Sequence, residues 1–339
     1  MSRTLFFADT PPQLDFPPLN SGILDLPAPY LLDSGQVLAQ PRLAWRRLGQ
    51  PHLPAVVILG GISAGRYAWR AAPDQGEGWW QEQIGPTRPL SPEKRQLISV
   101  DFLGSTGSSS GPHNSRQAGS DFPAISTRDQ ARALAALIES LGLNQLESMI
   151  GASYGGMVTL AFAQHFPYLL KRALVICAAE SPCPLATGWR HIQREILQLA
   201  LAQGEPEKGL KLARALAVTT YRSEQEFADR FAAGLGPDGC LPYLNHQGES
   251  FSQRFDPYSY LCLSTSIDTH QVDVANIVIP IDLLGFSSDQ LVPVSQLQKL
   301  QKKLKQTGFL QLIESIYGHD AFLKEAAEVA EILKHHLEQ

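Results

Sequence analysis

The segment Leu146–Met157 (LESMIGASYGGM) holds the residues best suited to do chemistry. It reads as an apolar strand, then Gly-x-Ser-x-Gly, then a helix. A turn this sharp strains its central residue and leaves no room for side chains on either flank, the role that Gly151 and Gly155 fill. Ser153 would hold its hydroxyl clear of the backbone, at a helix N-terminus whose amides favour developing negative charge. A serine hydroxyl needs a base. Of the nine histidines, His319 in Ile316–Phe322 (IYGHDAF) is best placed, after a late apolar strand and at the start of the final helix. Asp289, in Leu283–Pro293, follows the preceding strand and completes the chain order serine, acid, histidine. Its carboxylate would fix the imidazole tautomer and stabilise the imidazolium. Asp282 is the rival acid, but it falls inside the strand and is expected to be buried. The oxyanion donors expected are the backbone amides of Tyr154 and of Ile62, in the loop Gly60–Ser63. His52, His113, His246, His270, His335 and His336 read as loop histidines without a role, and His165 and His191 as helix-surface ones.

These side chains need a framework. Ala55–Leu59 (AVVIL) ends at Gly60-Gly61, and Gln96–Phe102 (QLISVDF) stops at Gly104. Short apolar runs closed by glycine are what central parallel strands look like. Thr127–Leu143 reads as an amphipathic helix with a Ser/Thr N-cap and Gly142 at its end. Leu146–Ile150 and Ala173–Ala178 add strands, and Met157–His165 a helix. From 181 to 275 the pattern changes to helices Thr187–Gln203, Pro206–Ala217 and Glu224–Gly234, with no buried strand between them. Alternation resumes with Ile277–Gly285, Val294–Lys305, Phe309–Glu314 and Ala321–Leu337. The expected fold class is α/β, a mostly parallel sheet with helices on both faces. Residues 1–180 and 276–339 would form the core and 181–275 an inserted helical cap. The first 50 residues are proline-rich, with strands expected at Tyr30–Leu32 and Arg42–Trp45, and residues 1–40 have no assigned role.

The chain has 339 residues, 44% apolar and 18% charged, which suits an ordinary globular protein with a large core. With 28 basic against 33 acidic side chains the net charge is −5, so nothing in it resembles a nucleic-acid or anionic-membrane footprint. The first twenty residues lack the apolar core of a secretory signal, and no run is long enough for a membrane helix. A cytoplasmic location is expected. The four cysteines, Cys177, Cys183, Cys240 and Cys262, form no CxxC and no metal spacing, and read as packing residues. There is no HExxH, no P-loop and no GxGxxG after the first strand, so neither a metal nor a bound cofactor is expected.

With these residues in view, the chain resembles the homoserine O-acyltransferases of the α/β-hydrolase fold. The likeness runs from about Leu59 to Leu323. Its carriers are Gly78-Trp79-Trp80 with Ile84-Gly85-Pro86, Asp101–Gly104 leading to Gly111-Pro112, Phe122–Ser126 with Arg128-Asp129, and Gly151–Met157. In the cap they are Ala213-Arg214, Thr220-Tyr221-Arg222-Ser223, Arg230-Phe231, Tyr243-Leu244 and Arg254–Leu261 (RFDPYSYL), and Gly318–Leu323 (GHDAFL) closes the match. The Gly-x-Ser-x-Gly is shared with many hydrolases; its combination with the other strings is far more specific. The resemblance implies ping-pong acyl transfer from acyl-CoA, as co-substrate, to L-homoserine through an acyl-serine, in methionine biosynthesis. Arg222 would hold the homoserine carboxylate by a bidentate contact and Asp320 its ammonium. The cap would also supply a homodimer interface.

The chain departs from the family at several points. Asp101 stands where asparagine is usual, Tyr154 where methionine is common, and Gly104–Ser108 (GSTGS) replaces a G-x-C-x-G stretch. Succinyl-using relatives often carry an arginine where this chain has Gly107, which leans the donor toward acetyl-CoA, with Arg66 or Arg128 as substitute cations. L-serine is the alternative acceptor, since one methylene is worth only about 1–3 kcal/mol of discrimination. An esterase or thioesterase would need neither Arg222 nor Asp320.

Overall fold

Strand β5 (Ala55–Leu59) and strands β6 (Gln96–Val100), β7 (Ser148–Ala152), β8 (Ala173–Ile176) and β9 (Ile281–Phe286) are buried along their whole length. Burial on both faces explains their nearly continuous apolar sequences. A computed structural model describes residues 19–70 and 77–339. In it these strands form the middle of an eight-stranded sheet. At one edge β1 (Leu19–Asp25) pairs with β4 (Arg42–Leu48); at the other lies β10 (Thr307–Ile313). The order is β1-β4-β6-β5-β7-β8-β9-β10. The β1–β4 and β4–β6 pairs are antiparallel and the rest parallel. A separate hairpin joins β2 (Tyr30–Leu31) to β3 (Val37–Leu38). The chain start read for a signal lies, as far as residue 18, outside the described residues.

Helix α1 (Thr127–Ser140) begins with a capping box in which the Ser126 hydroxyl accepts from the Asp129 amide and the Asp129 carboxylate from the Ser126 amide. Helix α2 (Tyr154–His165) follows β7 directly. Between β8 and β9 come α3 (Pro184–Ala202), α4 (Pro206–Tyr221), α5 (Glu224–Arg230), α6 (Cys240–Ser252) and α7 (Pro257–Asp268). Helix α4 packs on α3 and α6, and α7 on α3 and α4. The sequence reading misses α6 and α7. Gly248 lowers helix propensity inside α6, yet it is what lets α4 approach: a Cβ there would fall 2.7 Å from the Lys211 carbonyl oxygen. After β9 come α8 (Val294–Lys303), α9 (Ala321–Lys324) and α10 (Ala326–Glu338), so the single final helix expected is broken at Glu325. Strand β9 starts at Ile281 rather than Ile277, just after Pro280, which has no N–H for a ladder. Among the described residues no helix is long and apolar enough to cross a membrane, and all four cysteines are free.

The chain returns from β5 to β6 on one side and reaches β7 on the other. That reversal opens a crevice beyond the carboxyl ends of the strands, the usual ligand position in such sheets.

Candidate active site

Ser153 caps α2 with φ +55° and ψ −119°, a left-handed conformation that costs a non-glycine residue free energy. The surroundings hold it there. Its amide donates to the Ile176 carbonyl at 2.9 Å, and the Gly155 amide to Gly60 at 2.9 Å. A Cβ on Gly155 would sit 2.5 Å from the Leu59 carbonyl oxygen, and one on Gly151 would strike the Gly155 carbonyl. Both glycines are therefore steric requirements of the turn.

His319 lies in a short 3₁₀ turn between β10 and α9, and Asp289 in the loop after β9. The structure brings them together with Ser153. His319 Nε2 is 2.8 Å from Ser153 Oγ and Nδ1 is 2.8 Å from Asp289 Oδ2. The other Asp289 oxygen accepts the amides of Leu291 (2.8 Å) and Val292 (3.1 Å). An ionised carboxylate only accepts, so Nδ1 carries the proton and Nε2 offers its lone pair to the serine hydroxyl. Burial pulls the His319 pKa down, but the charge and hydrogen bond of Asp289 outweigh it and hold the imidazole above the ordinary histidine value.

The site opens into a cavity of about 350 Å³ whose wall includes Ile62, Ser153, Tyr154, His319 and Asp320. The amides of Ile62 and Tyr154 have no acceptor among the described residues, and both residues line the space beside Ser153. Cys177 completes this wall with a left-handed φ of +50°. Its Sγ and the ligand atoms of Asp289 and His319 lie within 4.8 Å of one another. Burial and the Asp289 charge push its thiol pKa well up, whereas a metal ligand must be thiolate. Within that set Asp289 and His319 already engage each other, and His319 engages Ser153, an arrangement suited to proton transfer.

The cations fall differently from the sequence expectation. Arg222 is not in the cavity wall. Its Nη1 lies 2.7 Å from Glu226 and its Nε 3.2 Å from Asp320, so it backs the one acid that does face the cavity. The exposed Arg254, just after α6, lines the cavity instead, and so does Arg214 of α4. The Arg214 guanidinium stacks over Phe251 (4.7 Å to the centroid) and Tyr221 (5.2 Å), and its buried Nε has no partner. Arg190 also lines the wall and shares Asp268 with Arg194, at 2.6 and 2.5 Å. Neither substitute cation named from the sequence reaches the cavity wall: Arg66 is bound to Asp101, and exposed Arg128 faces Asp33 at 3.6 Å. Asp101 also accepts the amides of Arg66 (2.8 Å) and Ser108 (2.7 Å), and a Cβ on Gly107 would collide with it. The acid at 101 and the glycine at 107 thus belong together.

Sequence reasoning assigned no role to Arg214, Arg190, His270 or His336. The Ala213-Arg214 string was a signal for the first. His270 and His336 are buried, against the expectation of idle loop residues. His270 bridges the Thr127 hydroxyl (2.8 Å) and the Ala179 carbonyl (3.2 Å).

A strained serine turn at the end of a central parallel strand, with histidine and acid from later loops, defines an enzyme of the α/β-hydrolase fold, and a model of that fold matches residues 54–326. Among curated relatives, the homoserine O-succinyltransferase of Xanthomonas campestris is 35% identical over 94% of this chain and 84% of its own. A homoserine O-acetyltransferase of Thermus thermophilus is 38% identical over 76% and 71%, and a serine O-succinyltransferase of Xylella fastidiosa 32% over 96% and 99%. The crystal structure of a homoserine O-acetyltransferase from Staphylococcus aureus superimposes with a TM-score of 0.83 at 27% identity, over 95% of this chain and 96% of that one. The chain belongs to the homoserine O-acyltransferase family of the α/β-hydrolase fold, an acyltransferase class of enzyme.

Proposed function

We propose that the protein transfers an acyl group from acyl-CoA to the hydroxyl of L-homoserine through an acyl-Ser153 intermediate, a step of methionine biosynthesis in the cytoplasm. The observation that carries this reading is the Ser153–His319–Asp289 set opening on a cavity that also presents an acid, Asp320, and a cation, Arg214, whose buried Nε has no partner. A zwitterionic acceptor needs both. Asp320 would take its ammonium and Arg214, rather than Arg222, its carboxylate; Arg222 would orient Asp320 from behind.

Ser153 Oγ attacks the thioester carbonyl as its proton passes to His319 Nε2. The C–S bond breaks and that proton leaves with the CoA thiol. The homoserine hydroxyl then gives its proton to Nε2, its oxygen takes the acyl group, and the proton returns to Ser153 as that C–O bond breaks. The amides of Ile62 and Tyr154 would stabilise both tetrahedral oxyanions. Helices α3 to α7 would act as the cap, 181–275, that keeps water from the intermediate.

The donor preference turns on charge. Arg190 and Arg194 share a single carboxylate, leaving one net positive charge at the cavity wall, to which Arg254 adds another. That favours succinyl-CoA over the acetyl-CoA suggested by Gly107. A homodimer through the cap is supported by Leu185, Ile192 and Leu199, exposed on α3 at heptad spacing, with Leu212 exposed on α4.

The test is a thiol-release assay pairing acetyl-CoA or succinyl-CoA with L-homoserine or L-serine. Acceptor-dependent release with succinyl-CoA and homoserine, lost in Ser153→Ala, is expected. Release indifferent to the acceptor would instead identify an esterase or thioesterase, and release only with serine the other acyltransferase.

A further inference from the structure

Tyr154 follows the nucleophile, where methionine is common in the family, and its side chain is buried on the far side of the turn. The phenol oxygen lies 2.7 Å from Ser266 Oγ in α7 and accepts from Gln130 Nε2 of α1 at 3.3 Å. Gln130 in turn brackets Leu103, accepting its amide at 3.0 Å and donating to its carbonyl at 2.8 Å. The ring stands edge-on to Phe102, 4.9 Å between centroids. Tyr154, Ser266 and Gln130 are all inaccessible to solvent. Burial pushes the phenol pKa up, so it stays neutral and can donate.

Helix α7 is anchored to the rest of the chain by the Asp256 amide at its N-cap, which donates to Thr106, by His270 just beyond its end, bonded to Thr127 and Ala179, and by Ser266, bonded to Tyr154. Of these, the Ser266 bond reaches the residue whose amide faces the reacting carbonyl. The same helix puts Tyr260, Ser264 and Ile267 in the cavity wall and carries Asp268, which holds Arg190 and Arg194. A shift of α7 would therefore change the seal and the cavity cations together.

We propose that Tyr154 is a positioning residue: its phenol, hydrogen-bonded to Ser266, ties α7 to the nucleophile's own turn and keeps water away from the acyl group on Ser153. The proposal rests on the acyl-Ser153 reading above. A bond of this kind removed from one side leaves a buried hydroxyl without that partner and removes the tie between α7 and the turn.

The measurement is the ratio of acyl-CoA hydrolysis to acyl transfer at fixed homoserine concentration, with acyl-Ser153 followed by mass spectrometry. This ratio is a property of the folded molecules and does not depend on their yield. Tyr154→Phe and Ser266→Ala should each raise it by about five- to tenfold, as expected when a buried hydroxyl loses its partner. The double variant should be no worse than either, and Ser266→Thr, which keeps the hydroxyl, should restore the wild-type ratio. An unchanged ratio in both single variants, or additive effects in the double, overturns the proposal while leaving the acyl-enzyme in place. Absence of acyl-Ser153 in the wild type overturns both.

Discussion

Strand β7 carries a serine–histidine–acid set at each end. At its carboxyl end Ser153 meets His319 and Asp289. At its start Ser148 Oγ lies 2.6 Å from His336 Nε2, and His336 Nδ1 lies 2.5 Å from Asp282. The atoms and connectivity are the same, but the surroundings differ. Ser148 continues a strand, and all three of its members are sealed from solvent. Asp282 also holds Arg172 at 2.8 Å, and none of the three lines the cavity that Ser153 faces. Ser153 is lifted by its left-handed backbone to face a cavity and two free amides. Three side chains in a row therefore do not by themselves define a site; the strained turn, the two free amides and the open space single out the Ser153 set as the proposed one.

The two histidines also shift in opposite directions. At His319 the Asp289 charge outweighs burial and raises the pKa, whereas at His336 burial outweighs Asp282 and lowers it. One is tuned to accept a proton and the other stays neutral as a strut between α10 and the sheet.

The largest effect expected separates the serines. Ser153→Ala should lower kcat/KM by about 10⁴–10⁶-fold with little change in Tm. Ser148→Ala should leave the rate within about twofold and cost about 1–2 kcal/mol of stability, because it orphans a buried imidazole nitrogen. Steady-state kinetics and thermal melts on both variants check this, and a large activity loss in Ser148→Ala would erase the distinction. The acids come next. Asp289→Asn should cost about 10⁴-fold in kcat by favouring the wrong tautomer. Asp282→Asn should spare kcat and cost about 1.5–3 kcal/mol by taking the charged acceptor from the partly buried Arg172 and from His336. Urea titration beside kinetics distinguishes them.

A smaller effect concerns the sealed histidines. Burial lowers the His270 pKa to about 4, so below the ordinary value near 6.5 the unfolded chain takes up a proton that the folded one refuses. Stability should fall as pH drops from about 6.5 to 4, by on the order of 3 kcal/mol from His270 alone. The drop should be shallower in His270→Gln, measured by denaturant titration across that window. His336, also lowered, acts with the same sign. The smallest effect is on the rate profile. His319 must be unprotonated to accept from Ser153, so kcat/KM should decline as pH falls through a pKa above the ordinary histidine value. The limb should move to lower pH in Asp289→Asn, measured on the residual activity.

Much of this was legible in the chain. The buried strands announced themselves as apolar runs closed by glycine, and the serine turn by two glycines that steric contact requires. Asp289 was separable from Asp282 because one follows a strand and the other lies inside it. Less legible were α6 and α7, whose glycine or weak amphipathicity reflects what packs on them. Arg222 and Arg214 could not be ranked by residue type, since both are arginines of the cap. His336 looked idle because its partners stand 54 and 188 positions away.

The sequence by itself determined the parallel sheet, the strained nucleophile turn and the order of its partners, because local sterics and short-range apolar periodicity are written in neighbouring residues. Only the tertiary structure decided which arginines face the cavity, which serine–histidine–acid set is open, and what Tyr154 holds. Those outcomes depend on distant segments meeting, and on whether burial or a partner's charge wins where they meet.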